Sequence, residues 1–392
     1  MHKNRNLLVI SLVAVVNALG YGIIIPILYS YSRKFGLTDF QNGMLFSLYS
    51  ICQFLSTPLI GRLSDKYGRK PLLVVSLAGT AVSFFMAAFA PTALFLFAAR
   101  ALDGLTAGNI PVASAVITDS TEIKDRAKGF GVIGASFGFG FVFGPAISAL
   151  TVGISSALPF IIAGVISTIS VVITLLVLPE TNKHMGEVRK GHIFDFAKLV
   201  HSLIDPNVGP TLLISLFYFI AFGIYIFTFQ PFSVKVMGFS TTTISIIFTL
   251  IGVIGLFAQL ALLPRLTKFF GDKKSLMASL ITMFLIFFAM YFTKSRLFFI
   301  VLVSIAALAN SCVGPLIQTI LSKETDERSQ GSIQGLNSSY ASIGTTIGPV
   351  IGGALAVYYV PLPYVAAGAV TLLSLILSLR IKSRFIHKES AF

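Results

Sequence analysis

The sequence predicts an all-α polytopic membrane protein, with twelve transmembrane helices in two pseudo-symmetric six-helix halves. Three observations carry this. Of 392 residues, 55% are hydrophobic and only 11% charged, with a mean hydropathy of +0.88, whereas a soluble chain carries about a quarter charged residues. The apolar runs are nearly charge-free, and about 20 helical residues at about 1.5 Å each cross the hydrocarbon core. Landmarks also recur at a nearly constant spacing. Arg62-Leu63 and Gly68 return 203 residues later as Arg265-Leu266 and Gly271, and Gly144-Pro145 returns 204 residues later as Gly348-Pro349. Asp125-Arg126-Ala127-Lys128-Gly129 is echoed 202 residues later by Glu327-Arg328-Ser329-Gln330-Gly331. Such periodicity marks a duplicated unit.

Taken in order, the apolar runs place spans at about 6–30, 41–60, 71–90, 92–118, 129–151, 158–178, 210–233, 242–264, 275–293, 297–320, 331–356 and 361–381. The basic start, Met1-His2-Lys3-Asn4-Arg5, precedes an apolar run with no small-residue cleavage site, so it reads as a first span rather than a signal peptide. Residues about 179–209 form the one long connection and divide the chain into halves 1–178 and 210–392. Within it His184, His192 and His201 are scattered, which reads as a solvated linker rather than a metal site. Ile193, Phe194, Phe196, Leu199 and Val200 make a weakly amphipathic stretch suited to the inner membrane surface. Cys52 and Cys312 lie in apolar spans and read as packing thiols.

The net charge of +14 does not point to nucleic acid, because the cations occupy short loops. One side of the bilayer receives Arg33, Lys34, Lys235, Lys294 and Arg296. The other receives every remaining Lys and Arg except Arg100. This bias puts both termini in the cytoplasm, with an inner-membrane location.

The densest charge lies in Gly61-Arg62-Leu63-Ser64-Asp65-Lys66-Tyr67-Gly68-Arg69-Lys70-Pro71, between spans 2 and 3. Gly61 and Gly68 permit a sharp turn, and Pro71 suits a first helical turn. Asp65, alone among cations, is expected to be ionised and paired. The run resembles the signature loop of the major facilitator superfamily of transporters, Gly-x-Leu-Ser/Ala-Asp-Arg/Lys-x-Gly-Arg-Arg/Lys. By that resemblance Gly61, Asp65, Gly68, Arg69 and Arg126 form a cytoplasmic latch in which Asp65 pairs with Arg126. Span 5 holds Gly140-x-x-x-Gly144-Pro145, similar to the bending motif of the family's antiporters, with Ser148-Ala149 where the pattern has Gly-Gly. Span 11 holds the fuller version at Gly344, Gly348-Pro349 and Gly352-Gly353.

Arg100 and Asp103 are the charges deepest in any span, three residues apart and therefore on one helix face. Either they form an internal structural ion pair or they mark a substrate or proton site. Arg100-Ala-Leu-Asp103-Gly104 resembles the antiporters' span-4 motif, with Asp103 in place of Gln. That resemblance makes Asp103 a candidate proton carrier. Asn17-Ala-Leu-Gly20-Tyr21-Gly22 is similar to the first helix of twelve-span tetracycline exporters, but Asn17 and Ser83 stand where those carry acids. This argues against tetracycline–metal chemistry. Further polar groups within spans are Asn109, Tyr218, Tyr225, Gln230, Asn310, Gln318, Asn337 and Tyr340, with Gln53 and Gln259 beside them. Such groups need partners in lipid; those on spans 1, 4, 7 and 10, by family analogy, and Asn337 and Tyr340 of span 11 are cavity candidates. With 36 Phe, the cavity suits an amphipathic organic solute.

The resemblance implies a secondary transporter that exports small organic molecules by proton antiport, multidrug-like, with a small-molecule substrate, protons and lipid as partners, and a monomer as the working form. No Gly-x-x-x-x-Gly-Lys phosphate loop or metal-ligand cluster is present in the sequence, so neither enzyme activity nor a cofactor or metal is expected. The alternatives are a uniporter or importer of a sugar or metabolite, a non-transporting receptor or scaffold, and a lipid flippase.

Overall fold

The computed structural model describes residues 2–121, 126–182, 185–186, 196–326 and 329–381. Among them the regular structure is helical, with no strand. Span 1 is α1 (His2–Ile24) followed by α2 (Leu28–Ser32), bent by 55° where continuity was expected. Pro26 lies in the break and has no N–H to continue the ladder. α3 (Asp39–Tyr67) and α4 (Arg69–Ala88) meet at Gly68, whose φ of 104° is a glycine conformation. Span 4 is not one helix but two, α5 (Ala93–Thr106) and α6 (Asn109–Ser120). Pro111 fits the first turn of a new helix and would break the interior of an old one. α7 (Arg126–Thr151) and α8 (Leu158–Val177) complete the first six spans.

Helix α9 (Phe196–Ile204) lies in the linker, a few residues later than the amphipathic stretch read from the sequence; residues 187–195 lie outside the described residues. α10 (Gly209–Lys235), α11 (Thr241–Phe257), α12 (Leu263–Phe292), α13 (Arg296–Lys323), α14 (Gln330–Tyr358) and α15 (Leu362–Ser378) follow. A π-helical turn, Ala258–Leu262, joins α11 to α12. Within Leu263–Phe292 the backbone of Gly271 (φ 74°, ψ 166°) is not helical, so two helices meet there, as α3 and α4 do at Gly68.

Two compact units result. The first comprises 1–38, 48–194 and 239–250; the second comprises 39–47, 195–238 and 251–392. In the first unit α1 packs on α7 and α8, and α4 packs on α8 and α5. In the second α10 packs on α14 and α15, and α12 packs on α15 and α13. The same helices of each six-span repeat are therefore partners. Glycine sets the close approaches. A Cβ on Gly144 would lie 2.8 Å from Gly22, and one on Gly348 would lie 2.7 Å from Gly223. Ser148, in the place of a motif glycine, still fits because its hydroxyl donates to Ile23 O at 2.6 Å. The cores are aliphatic, with Val9, Ile10, Leu73, Leu77 and Val116 in the first unit and Leu212, Leu276, Leu280, Val313 and Leu316 in the second.

Candidate functional site

In the first unit, α5 ends at Thr106, one turn after Asp103, and the chain re-enters helix at Asn109. The broken span leaves backbone groups to be satisfied locally. Ser56 Oγ donates to Gly104 O at 2.9 Å, and Gly104 has no room for a Cβ against Tyr49 O and Cys52. That close contact brings α3 against the polar face of α5. Arg100 Nη1 donates to Asp103 Oδ2 at 2.8 Å, with the two side chains only 8% and 9% exposed. The guanidinium also lies over the Tyr49 ring, 4.5 Å from its centroid, a favourable cation–π placement once desolvated. Gln53 Nε2 donates to Tyr49 OH at 3.2 Å. Tyr49 faces Tyr21 at 6.5 Å between centroids, and Tyr21 meets Phe141 edge-on at 5.9 Å. On α4, the polar Thr80 and Ser83 side chains lie beside the Asp103 carboxyl, with Ser83 Oγ donating to Thr80 O at 2.8 Å.

Asn109 Nδ2 donates to Asn17 Oδ1 at 3.1 Å, tying α6 to α1. Two polar atoms here remain over: Arg100 Nε and Asn109 Oδ1 are buried without a hydrogen-bond partner. Buried groups of this kind are rare and call for an explanation. One is a donor and the other an acceptor, which suits a polar organic solute or water. Thus Arg100, Asp103, Tyr21, Asn17 and Asn109 all lie in the first unit. Tyr49, not among the sequence candidates, joins them. Its position four residues before Gln53, on one face of span 2, was the available signal.

The second unit holds its polar candidates in separate pairs. Tyr218 OH donates to Asn310 Oδ1 at 2.6 Å, and Ser215 Oγ donates to Asn337 Oδ1 at 2.6 Å. Tyr340 OH donates to Leu199 O and meets Ser202 Oγ at 3.1 Å, so it holds α9 rather than standing with the other candidates. Tyr225 packs against Phe287. Gln230 is fully buried, and Gln318 is exposed.

Where α3 meets α4, Arg69 Nη1 lies 2.6 Å from Asp65 Oδ1, and its Nε donates to Asp119 Oδ2 at 3.0 Å. The side chain of Arg126, the expected partner of Asp65, lies outside the described residues. Gly61 has open space around it. The sequence reading also missed Glu180. Its carboxylate accepts from the amides of Arg69 and Lys70, the first residues of α4, and from its own Thr181 and Asn182. Asn182 Nδ2 donates to Asp65 O at 2.8 Å. An anion at a helix N-terminus is favoured by the orphan N–H groups and the helix dipole.

The sequence profile of the Major Facilitator Superfamily matches residues 10–268 and, again, 211–391. The chain is 30% identical over 362 residues to the class C tetracycline resistance protein of Escherichia coli, covering 90% of this chain and 89% of that protein. It is 29% identical over 366 residues to multidrug resistance protein 1 of Bacillus subtilis strain 168, covering 90% of each. Among solved structures, a bacterial homologue of the human lysosomal transporter Spinster superposes with a TM-score of 0.81 at 16% identity, covering 98% of both chains. A human organic anion transporter superposes with a TM-score of 0.71 at 19% identity, covering 96% of this chain and 99% of that one. These two show a shared fold.

Proposed function

The chain belongs to the major facilitator superfamily, a family of membrane transporters rather than enzymes, and from that premise we propose that it exports small amphipathic organic molecules by proton antiport. The observation that carries this reading is the buried Arg100–Asp103 pair beside Tyr49, with Arg100 Nε unpartnered. A buried ion pair is held by mutual attraction in a poorly solvated place. A proton on Asp103 removes that attraction and frees the guanidinium. A cationic substrate competes for the same carboxylate. Two species contending for one site leave in exchange for each other, which is antiport. The Tyr21, Tyr49 and Phe141 rings supply flat apolar and cation-accepting faces.

The names of the relatives, tetracycline and multidrug resistance proteins, support a drug-like substrate. Asn17 and Ser83, in the places where the tetracycline exporters carry acids, favour the broader multidrug class. In this reading, halves 1–178 and 210–392 alternate access around a midplane cavity, joined by the 179–209 linker. The protein works as a monomer in the cytoplasmic membrane, with both termini inside.

The test uses proteoliposomes with a trapped pH dye and a panel of amphipathic cations, tetracycline and simple sugars. Wild type is expected to move protons with at least one amphipathic cation, and Asp103→Asn to lose that signal by about a hundredfold or more, the scale of one proton-transfer group. Substrate crossing without a proton signal, unchanged in Asp103→Asn, would make the pair structural and the protein a uniporter.

A further inference from the structure

At the end of α10, Lys235 Nζ donates to Asp39 Oδ2 at 2.6 Å, and the Asp39 side chain is only 4% exposed. Both residues lie on the side that the charge bias makes extracytoplasmic. Asp39 is the first residue of α3, where the helix dipole favours an anion. The stretch that it opens, residues 39–47, groups with the second unit, while the rest of α3 groups with the first. Inside the second unit this stretch lies backbone to backbone on α14. A Cβ on Gly353 would lie 2.7 Å from Asp39 O, and Gly43 has no room for one against Pro349 O. Ser47 Oγ donates to Thr346 O at 2.5 Å. Phe46 meets Phe227 of α10 edge-on.

The internal repeat offers a control. Phe35-Gly36-Leu37-Thr38-Asp39 corresponds, 202 residues later, to Met237-Gly238-Phe239-Ser240-Thr241, and both glycines are left-handed, with φ of 75° and 64°. Thr241 therefore stands where Asp39 does. Around it, in the first unit, is a cavity of about 270 Å³ lined by Tyr31, Lys34, Ser156, Thr241 and Thr242. Lys34 donates to Ser156 there, and no carboxylate of the described residues pairs with it. Of the two equivalent places, one is closed by an ion pair and the other is roomy, with Lys34 held by a neutral hydroxyl.

We infer that Lys235–Asp39 is an outer clasp, which holds residues 39–47 of α3 on α10 and α14 and must open in each transport cycle. Two sequence halves that rock about a midplane site must break, on the releasing side, any contact that ties a segment of one to helices of the other. The glycine contacts give this clasp its close fit, and the ion pair gives it its strength. The inference rests on the transport reading, but its test needs neither a substrate nor a proton signal.

The test is labelling of Ser47→Cys by a membrane-impermeant maleimide added from outside, in a Cys52→Ser, Cys312→Ser background. Ser47 is 1% exposed and sits under the clasp. Asp39→Asn is expected to raise the labelling rate about fivefold or more, Lys235→Asp likewise, and the charge exchange Asp39→Lys with Lys235→Asp to return it to within about twofold. Labelling unchanged in Asp39→Asn, or no protection by the exchange, would overturn the clasp. Should the charge reversals fail to reach the membrane, the isosteric Asp39→Asn decides alone.

Discussion

At the scale of single residues, burial decides which polar groups matter. Arg100, Asp103 and Tyr49 draw their meaning from one another: a charge, its counter-charge and a ring at 4.5 Å. Glu324, just past the end of α13, is the opposite case. One carboxylate oxygen is buried without a hydrogen-bond partner. Burial, with a smaller push from nearby Asp205, raises its pKa from 4.5 to about 7, and the Thr211 hydroxyl offsets part of this. The folded protein thus holds this proton where the unfolded chain has lost it. The contribution of Glu324 to stability is full below about 4.5, falls as pH climbs to about 7, and is level above. Thermal unfolding of the purified protein is expected to show a midpoint that declines between pH 5 and 8, and Glu324→Gln to flatten that decline. Equal slopes in the two proteins would show that Glu324 does not titrate in this window.

At the scale of helices, glycine and proline do different work. Gly144 and Gly348 are contact residues, whereas a Cβ at Gly131 of the same α7 would meet nothing within 4 Å. Gly144→Val is therefore expected to cost at least about 1–3 kcal/mol through overpacking and to cut folded protein in the membrane several-fold. Gly131→Ala should leave it unchanged. Size-exclusion recovery after detergent extraction checks both, and equal losses would remove the distinction. Pro145, read from the sequence as a bending signal, lies inside the single helix α7, whereas Pro26 and Pro111 sit at actual breaks. That α5 stops just past Asp103 was not legible, because the apolar run continues through Gly108 into α6. Hydropathy records where a chain can lie in lipid, not where its hydrogen bonds are interrupted.

At the scale of the whole molecule, the duplication extends to side chains that no motif predicts. Asn17–Asn109 in the first unit corresponds, 201 residues later, to Tyr218–Asn310 in the second. Arg69 and Asp119 correspond to Asp272 and Lys323, a staple of inverted charge, with Lys323 48% exposed. Lys70, beside the Glu180 cap, corresponds to Lys273, which donates to Leu379 O and Ile381 O. Each unit thus fastens helix ends with polar bonds, but with different chemistry. The first-unit network is the tighter one, joining Asp65, Arg69, Asp119, Glu180 and Asn182. Asp65→Asn is expected to slow transport about tenfold while leaving membrane expression and thermal midpoint near wild type. Lys323 is half-exposed, which limits the Lys323–Asp272 pair to about 1 kcal/mol, so Asp272→Asn is expected to have a small effect. Normal transport by Asp65→Asn would reduce the loop to a structural turn.

Legible in the sequence were the lipid-spanning helical architecture, the internal repeat, the turn at Gly68 and the Arg100–Asp103 pair. Each follows from rules local in sequence: apolar length, landmark spacing, and charges three apart on one helix. Partnership emerges only when the helices pack. Tyr49 over Arg100, Glu180 capping α4, Tyr340 holding α9 and Lys235 clasping Asp39 join residues from 51 to 196 positions apart. A polar residue in an apolar run announces that it needs a partner, because lipid supplies none. Which partner it finds depends on how helices cross, and that is set by the side-chain volumes and glycine contacts of the packed whole.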